Sequence, residues 1–548
     1  MCRYNVDATD AQILLGYSDL FPGAAPELIP EIQKLNMHKA ISIISELIAL
    51  RNGKMKPINV CGYSIQLPYE AFLKKIILCL GDASCKDLST NPIFRKNQHV
   101  ISIQMLLILL KKIIAYGNYE TLNQVDYKIT DADYAKIIQL QLIVVDEVCQ
   151  NEEHSFDRGH FIFSTYHLNH HLPDSGRFLR MYYMLEILNK DADNFPEDIR
   201  GEYRNYYDDF STKYGITTTQ YTSILFWELQ PYYLEEKPIT HMSAWRTVAD
   251  TYKKAENREI FLKALGLLSA KPEELRDWAI ESQDRQWDFS KFLEAPFLQD
   301  NEGRYISISD YTLSNAFFEK LFWLIRDCYP ENDSRAMAFY GRLFERYVQE
   351  IAHNMKNPDY TFINEFSIDS RNSKSSDAYL QKTNRLLVIE AKGFSNLSSV
   401  MAKNSAVDKN NSKLFVCPIL EADAFCTKAL QNGRFADVTE MYIVSVTMDN
   451  IEANPFYYEK IFKEIESKKT CTKVVGYFNF SIADYEMLMC AAEDGADVFE
   501  LLKEYFSLKE LPPFGNYLRE KMPKLSTMTD FMKHWYNEAC SKMMSMLK

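Results

Sequence analysis

The sequence predicts a multidomain protein with a mostly α-helical N-terminal region, a C-terminal α/β domain and a helical tail. The chain has only 18 glycines and 19 prolines among 548 residues, about 7% against a typical 12% or so, and so few turn-forming residues indicate long, mainly helical elements. After residue 334 the pattern changes to helix, three strands, helical material and strand, which is an α/β order. At roughly 100–200 residues per domain, this length predicts three or four units.

The predicted domain boundaries follow these changes of pattern. Residues 1–150 form a helical domain, because Ile41–Ile48 and Ile101–Ile114 carry apolar side chains at helical spacing. Residues 151–333 form a second helical domain with a short β-hairpin near 296–308, where two apolar runs flank an Asn-Glu-Gly turn. Residues 334–481 form the α/β domain, and residues 482–548 form a helical tail.

Composition excludes several classes of protein. Apolar residues make up 47% and charged residues 25% of the chain, as in ordinary soluble globular proteins. A net charge of −13 argues against a protein that coats nucleic acid over its whole surface, although a local basic groove is compatible with it. The eleven cysteines form no CxxC pair, which argues against a zinc ribbon or a disulfide framework.

The same sequence predicts a cytoplasmic protein that does not enter a membrane. The N-terminus lacks the apolar core of a signal peptide. The longest apolar stretch, Val100–Leu110, is interrupted by Ser102 and Gln104 and is too short to cross a bilayer.

The α/β domain begins with a long amphipathic helix, predicted from Arg335 to Met355. Six strands are predicted after it from apolar and β-branched runs, and a helix is predicted between the fourth and the fifth. The predicted strands are Tyr360–Ile368, Ser376–Gln381, Arg385–Gly393, Leu414–Ile419, Met441–Val446 and Thr472–Phe480, and the helix is Glu421–Leu430.

The third of these strands carries an anomaly. The buried-type run Leu387-Val388-Ile389 is followed by Glu390 and Lys392, which strand alternation places on one face. Charged groups there are unfavourable to bury unless they are paired or bind something. Asp377 opens the preceding strand, and an antiparallel pairing would bring its carboxylate to the same place. Two carboxylates and the Ala391 carbonyl would give a hard divalent cation oxygen ligands.

These residues resemble a known family. Ser376-Asp377, with Glu390-Ala391-Lys392 starting thirteen positions after Asp377, is similar to the PD-(D/E)xK nuclease superfamily, over residues 334–481 only. The resemblance implies a restriction-endonuclease-like fold, in which a central mixed sheet is flanked by helices. It also implies Mg²⁺-dependent endonuclease activity, with Mn²⁺ as a possible substitute.

The resemblance also implies roles for single residues. Asp377 and Glu390 would hold the metal together with the Ala391 carbonyl, while Lys392 would orient the attacking water. Glu345, in the preceding helix, resembles the additional acidic residue of the family and would complete the catalytic and metal-binding set. The sequence departs from the family pattern at Ser376, where proline is frequent, and it has no obvious glutamine-containing helix after the motif.

Local charge indicates a nucleic-acid partner. Of the two polymers, DNA is expected rather than RNA. Between Arg371 and Lys413 there are eight basic and three acidic residues, a net charge of +5 in an acidic chain. Such asymmetry is expected of a phosphate-binding groove, although an ordinary solvated loop also accounts for it. The candidate nucleic-acid-binding residues are Arg371, Lys374, Lys382, Lys403, Lys409 and Lys413.

Two alternatives remain at this stage. Glu390 and Lys392 could form a solvated ion pair on a surface strand, or the nuclease-like domain could be inactive in a helical scaffold protein. In the nuclease interpretation, the large helical region indicates a regulated effector, such as a prokaryotic anti-phage defence protein, by analogy alone. Its helices would mediate a homo-oligomer or bind a partner subunit.

Overall fold

A computed structural model gives the structure of the protein over most of its length. The described residues are 13–21, 23–51, 58–60, 63–65, 98–124, 128–155, 175–197, 199–233, 245–367, 375–393, 409, 412–448, 455–508 and 512–547. Within them the chain is mostly helical, with two larger sheets of three and five strands.

The first helical region contains the predicted amphipathic helices. The predicted stripe at 41–48 lies in α3, and the stripe at 101–114 lies in a helix that begins after the N-cap Ser102 and ends before Gly117. The helices are α1 (Tyr17–Leu20), α2 (Leu28–Gln33), α3 (Met37–Arg51), α4 (Ile103–Tyr116) and α5 (Asp131–Ser155). Short strands accompany them: β1 (Ile13–Leu14), β2 (Ile58–Val60), β3 (Tyr63–Ile65) and β4 (Gln98–His99).

The second helical region contains the predicted hairpin. Its strands pair antiparallel from Phe297↔Ser307 to Gln299↔Tyr305, and Gly303 takes the positive φ of 77° that the turn requires. The helices are α6 (Ser175–Tyr182), α7 (Tyr206–Tyr214), α8 (Thr218–Tyr233), α9 (Val248–Thr251), α10 (Ala255–Leu268), α11 (Pro272–Glu281), α12 (Ser290–Glu294), α13 (Asp310–Asn315) and α14 (Leu321–Asp327). The strands are β5 (Ser269–Ala270), β6 (Phe297–Gln299) and β7 (Tyr305–Ser307).

The C-terminal α/β region is built on a five-stranded mixed sheet. The strand order is β12-β11-β10-β9-β8; β8, β9 and β10 are antiparallel neighbours, while β10, β11 and β12 run parallel. The strands are β8 (Thr361–Asn364), β9 (Ala378–Lys382), β10 (Arg385–Lys392), β11 (Glu440–Thr447) and β12 (Val474–Ser481). The helices are α15 (Ser334–His353), α16 (Cys417–Gln431) and α17 (Pro455–Lys468).

One predicted strand is wrong. Leu414–Ile419 is helical: Ser412–Val416 forms a π-helical turn that continues into α16, with Pro418 in the first turn. A short apolar run suits a buried helix as well as a buried strand, and proline is well tolerated at the start of a helix. The sheet therefore has β11 directly beside β10.

The tail is helical, as the sequence predicts. It contains α18 (Ile482–Glu493), α19 (Val498–Ser507), α20 (Phe514–Lys521) and α21 (Asp530–Leu547). Within the described residues, no helix combines the length and the apolar character needed to cross a membrane.

Three hydrophobic cores support these elements. One packs α3, α4 and α5 against residues of 245–311, and a second joins helices from α6 onward to one sheet face and the tail. The third lies between the other sheet face and helices α16 and α17. The first two cores each contain residues from both sides of a predicted domain boundary, so the helical body and the α/β region share one continuous interior.

The first core contains a buried carboxyl group whose ionisation opposes folding. Glu46 on α3 is 4% exposed and accepts a hydrogen bond from the Tyr134 hydroxyl, and burial raises its pKa to about 7. Because this pKa lies above the unfolded value near 4.5, the stability linked to Glu46 is complete below about pH 4.5. It is lost as the pH rises through 7.

We expect Glu46→Gln to raise the free energy of unfolding at pH 8 by up to about 3 kcal/mol and to change it little at pH 5. Urea unfolding at both pH values would measure this difference. The exposed Glu120 gives the matched control Glu120→Gln, which should behave as wild type at both. Equal stability of Glu46→Gln and wild type at pH 8 would contradict a raised pKa of Glu46 in the folded protein.

Candidate active site

The antiparallel pairing of β9 and β10 brings the predicted residues together. Ala378 pairs with Ile389, so Asp377, which immediately precedes β9, lies beside the end of β10. Its Oδ2 accepts a hydrogen bond of 2.7 Å from the Ala391 backbone N–H. The carboxylate therefore lies against the Glu390–Lys392 segment, as the sequence predicts.

Alternation along β10 separates the polar residues from the apolar ones. Leu387, Ile389 and Ala391 belong to the core beneath α15 and the tail, whereas Leu386 and Val388 belong to the core beneath α16 and α17. Glu390 and Lys392 occupy the next alternate positions and therefore lie on the same face as Leu386 and Val388. This confirms the predicted arrangement in which they share a face and Ala391 points away.

Helix α15 approaches this end of the sheet closely because glycines meet there. A Cβ built on Gly393 would lie 3.0 Å from the Cα of Gly341. Gln349, further along the same helix, donates a hydrogen bond of 2.9 Å from Nε2 to the Asp377 carbonyl. Glu345 lies between these two contacts on α15, so the helix carries it to the same end of the sheet.

Burial dominates the electrostatics of the three acids. Burial, followed by the charges of Glu390 and Glu345, raises the pKa of Asp377 well above its usual range. Burial also raises the pKa of Glu390, although Lys392 opposes the effect, and burial raises the pKa of Glu345 against the charge of Arg342. The protein thus concentrates negative charge where water is scarce.

Two cations offset part of that charge. Lys392 Nζ lies 2.9 Å from Glu390 Oε1 and 3.1 Å from Glu421 Oε2, and Arg342 Nη1 lies 2.7 Å from Glu345 Oε2. Burial lowers the pKa of Lys392, but the two glutamates outweigh it and raise the pKa overall. Lys392 is therefore a fixed positive charge at the site.

The acids do not form a closed metal cage by themselves. Among the residues that the structure describes, no group of three or more His, Cys, Asp and Glu side chains is arranged to hold a metal ion. Glu390 Oε2 is buried and accepts no hydrogen bond within this part of the chain, whereas Oε1 contacts Lys392. A cation that also takes oxygen ligands from water and substrate is compatible with this arrangement.

The structure describes three of the six predicted nucleic-acid-binding residues. Lys382 lies at the opposite end of β9 from Asp377 and pairs with Asp359 and Asp497. Lys409 and Lys413 are exposed and precede α16. The remaining three, Arg371, Lys374 and Lys403, lie outside the described residues.

Sequence reasoning missed three contributors to the site. Arg342 and Gln349 lie three and four positions from Glu345 on α15, and this helical spacing could have placed them on the same face. Glu421 was not recognised because the segment before it was interpreted as a strand. In the structure it lies in the second turn of α16 and contacts Lys392.

Comparison with known proteins adds no assignment: no protein-family model, curated protein or solved structure matches this chain. Any functional assignment therefore depends on the sequence motif and on the geometry of the site.

The glycine contact gives a test of how the site is assembled. We expect Gly393→Ala to lower stability by about 1–3 kcal/mol, because its Cβ would meet the α15 backbone at 3.0 Å. Thermal unfolding would measure the loss.

The other glycine supplies the matched control. A Cβ on Gly341 would meet nothing within 4 Å, so Gly341→Ala should be neutral or slightly stabilising in the helix. Equal effects of the two substitutions would argue against the close approach of α15 to β10.

Proposed function

We propose that this protein is a Mg²⁺-dependent endonuclease of the PD-(D/E)xK, restriction-endonuclease-like type that hydrolyses phosphodiester bonds, with DNA the favoured substrate. The observation that carries the proposal is the convergence of Asp377, Glu390 and Lys392 at adjacent strand ends, with Glu345 brought to them by α15. The order of helix, antiparallel strands, helix and parallel strand around this site also supports it.

The donor set fits Mg²⁺. This ion prefers oxygen ligands, keeps several waters, and is usually bound through one or two carboxylates together with substrate phosphates. Asp377 and Glu390 would supply the carboxylates, the Ala391 carbonyl would lie beside them, and Glu345 would add negative charge. Mn²⁺ has similar ligand preferences and would substitute. A site in which the protein supplies only some of the metal ligands is therefore compatible with this cofactor.

The residues of the chain have separate tasks in the proposed reaction. The bound cation would polarise a phosphate oxygen and favour ionisation of water. The Ala391 N–H fixes the Asp377 carboxylate at 2.7 Å, which holds one ligand in place. Lys392, cationic and adjacent to Glu390, would orient the attacking water and offset charge on the phosphate in the transition state.

The helical body supports the further proposal of a regulated effector. The body shares a core with the α/β region, so its packing bears on the helix that carries Glu345. A role in prokaryotic anti-phage defence, in the cytoplasm and in a homo-oligomer or with a partner subunit, is proposed by analogy with that architecture.

The first experiment is cleavage of supercoiled plasmid, single-stranded DNA and RNA with Mg²⁺ or Mn²⁺. We expect wild type to cleave in a metal-dependent way, and Asp377→Ala and Lys392→Ala each to lose at least 100-fold in rate, because each removes a group that acts on the reacting phosphate. The rate of product formation for each polymer would measure both the loss and the preferred substrate.

An exposed ion pair on α17 offers matched controls. Lys468 and Glu464 lie 2.6 Å apart at the surface, and Lys468→Ala and Glu464→Gln should cleave like wild type. Cleavage that survives in Asp377→Ala or Lys392→Ala would show that the activity comes from elsewhere.

A second candidate function is that of a helical interaction protein whose nuclease-like domain is inactive. The ion pairs Lys392–Glu390 and Arg342–Glu345 favour it, because they give two of the acids a cationic partner without a metal. Metal binding separates the two candidates. A nuclease should bind Mn²⁺ in a way that depends on Asp377 and Glu390, whereas a scaffold should show no binding at these residues.

A further inference from the structure

Two buried serines lie beside Glu390, one on each neighbouring strand or strand end. Ser445 on β11 pairs in register with Glu390, and it lies on the same sheet face, since Met441 and Ile443 of that strand belong to the core beneath α16 and α17. Neighbouring strands are about 4.8 Å apart. Ser376 precedes Asp377 beside the end of β10 and is fully buried, as is Ser445.

The backbone around Ser376 is held in place, but its hydroxyl is not. The Ser376 N–H donates to the Tyr379 hydroxyl at 3.1 Å, and its carbonyl accepts from the Ser375 hydroxyl at 3.0 Å. Its own hydroxyl lies close enough to Glu390 to lower the pKa of that carboxyl, yet within the described residues it makes no hydrogen bond of normal geometry. The side chain is thus available to Glu390.

Three buried polar atoms therefore lie around one place with no bonded partner in the described part of the chain: Ser376 Oγ, Ser445 Oγ and Glu390 Oε2. Leaving such atoms unbonded is unfavourable, so hydrogen bonds among them, direct or through a water, are expected. Two donors and one carboxylate oxygen also match the partners of a single buried water. The other oxygen of Glu390 already contacts Lys392.

We propose that Ser376 and Ser445 are positioning residues that hold Glu390 Oε2 by hydrogen bonds, directly or through one shared water. They would thereby turn the other oxygen, Oε1, toward the metal. This inference rests on the proposed metal-dependent function. It assigns a role to Ser376, the position at which the sequence departs from the family pattern.

The test measures Mn²⁺ binding by isothermal titration calorimetry and thermal stability without metal, in the full-length protein. We expect Ser376→Ala and Ser445→Ala each to weaken Mn²⁺ binding about tenfold or more. Each variant should remain folded without metal, so that the lost affinity is measured on folded protein. Ser445→Thr keeps a hydroxyl on the strand and should retain wild-type affinity. A merely structural serine would lower stability, as Ser375→Ala should, and leave Mn²⁺ affinity unchanged.

Ser375→Ala is the control. The Ser375 hydroxyl already bonds the Phe366 N–H and the Ser376 carbonyl, so its loss should lower stability and leave Mn²⁺ affinity unchanged. Wild-type affinity in both Ser376→Ala and Ser445→Ala would overturn the inference while the nuclease proposal stands. No Mn²⁺ binding by wild type, with no cleavage of any polymer, would overturn both.

Discussion

The burial of three carboxyl groups is the constraint around which this end of the sheet is organised. Burial raises the pKa of Asp377, Glu390 and Glu345, the charges of Glu390 and Glu345 raise that of Asp377 further, and Lys392 and Arg342 offset only part of the effect at Glu390 and Glu345. Buried charges of this kind contribute little to stability, and apolar replacements are often more stable. The fold nevertheless brings them together. Gly393 packs against Gly341, the Ala391 N–H donates to the Asp377 carboxylate, and Gln349 donates to the Asp377 carbonyl. Because stability alone does not favour such an arrangement, it supports the proposed cation site.

The helical body helps to set the position of α15. Arg180 on α6 binds Glu486 on α18 with two hydrogen bonds of 2.8 and 3.0 Å, and the Tyr347 hydroxyl donates to the same carboxylate at 2.7 Å. All three residues are buried, so removing one partner would leave the others unsatisfied and strongly destabilise the contact. Tyr347 lies two positions after Glu345 on α15. The helix that supplies the third acid is therefore fixed by groups from the N-terminal body and from the tail.

The sequence predicted the strands of the site well because their signals are local. Arg385–Lys392 matches the predicted strand within one residue, and alternation correctly placed Glu390 and Lys392 on one face. The helix near 414–419 was missed because its apolar run is too short to have a clear period. The Arg180–Glu486 contact joins residues 306 positions apart, and no spacing in the sequence indicates it. Periodicity thus predicted the elements, whereas contacts between distant elements required the structure.

The state of Lys392 bears on the choice between an enzyme and a scaffold. Its contacts with Glu390 and Glu421 neutralise charge in the absence of a cation, and an inactive domain would need nothing more. That pairing, however, uses only one oxygen of Glu390 and leaves Oε2 buried without a hydrogen bond in the described structure. The neighbouring Ser376 and Ser445 hydroxyls also lack partners there. An ion pair kept for stability alone would be expected to satisfy both oxygens. In the proposed enzyme, Ser376 and Ser445 would hold Oε2, and Oε1, which contacts Lys392 in this structure, would be the oxygen presented to the metal.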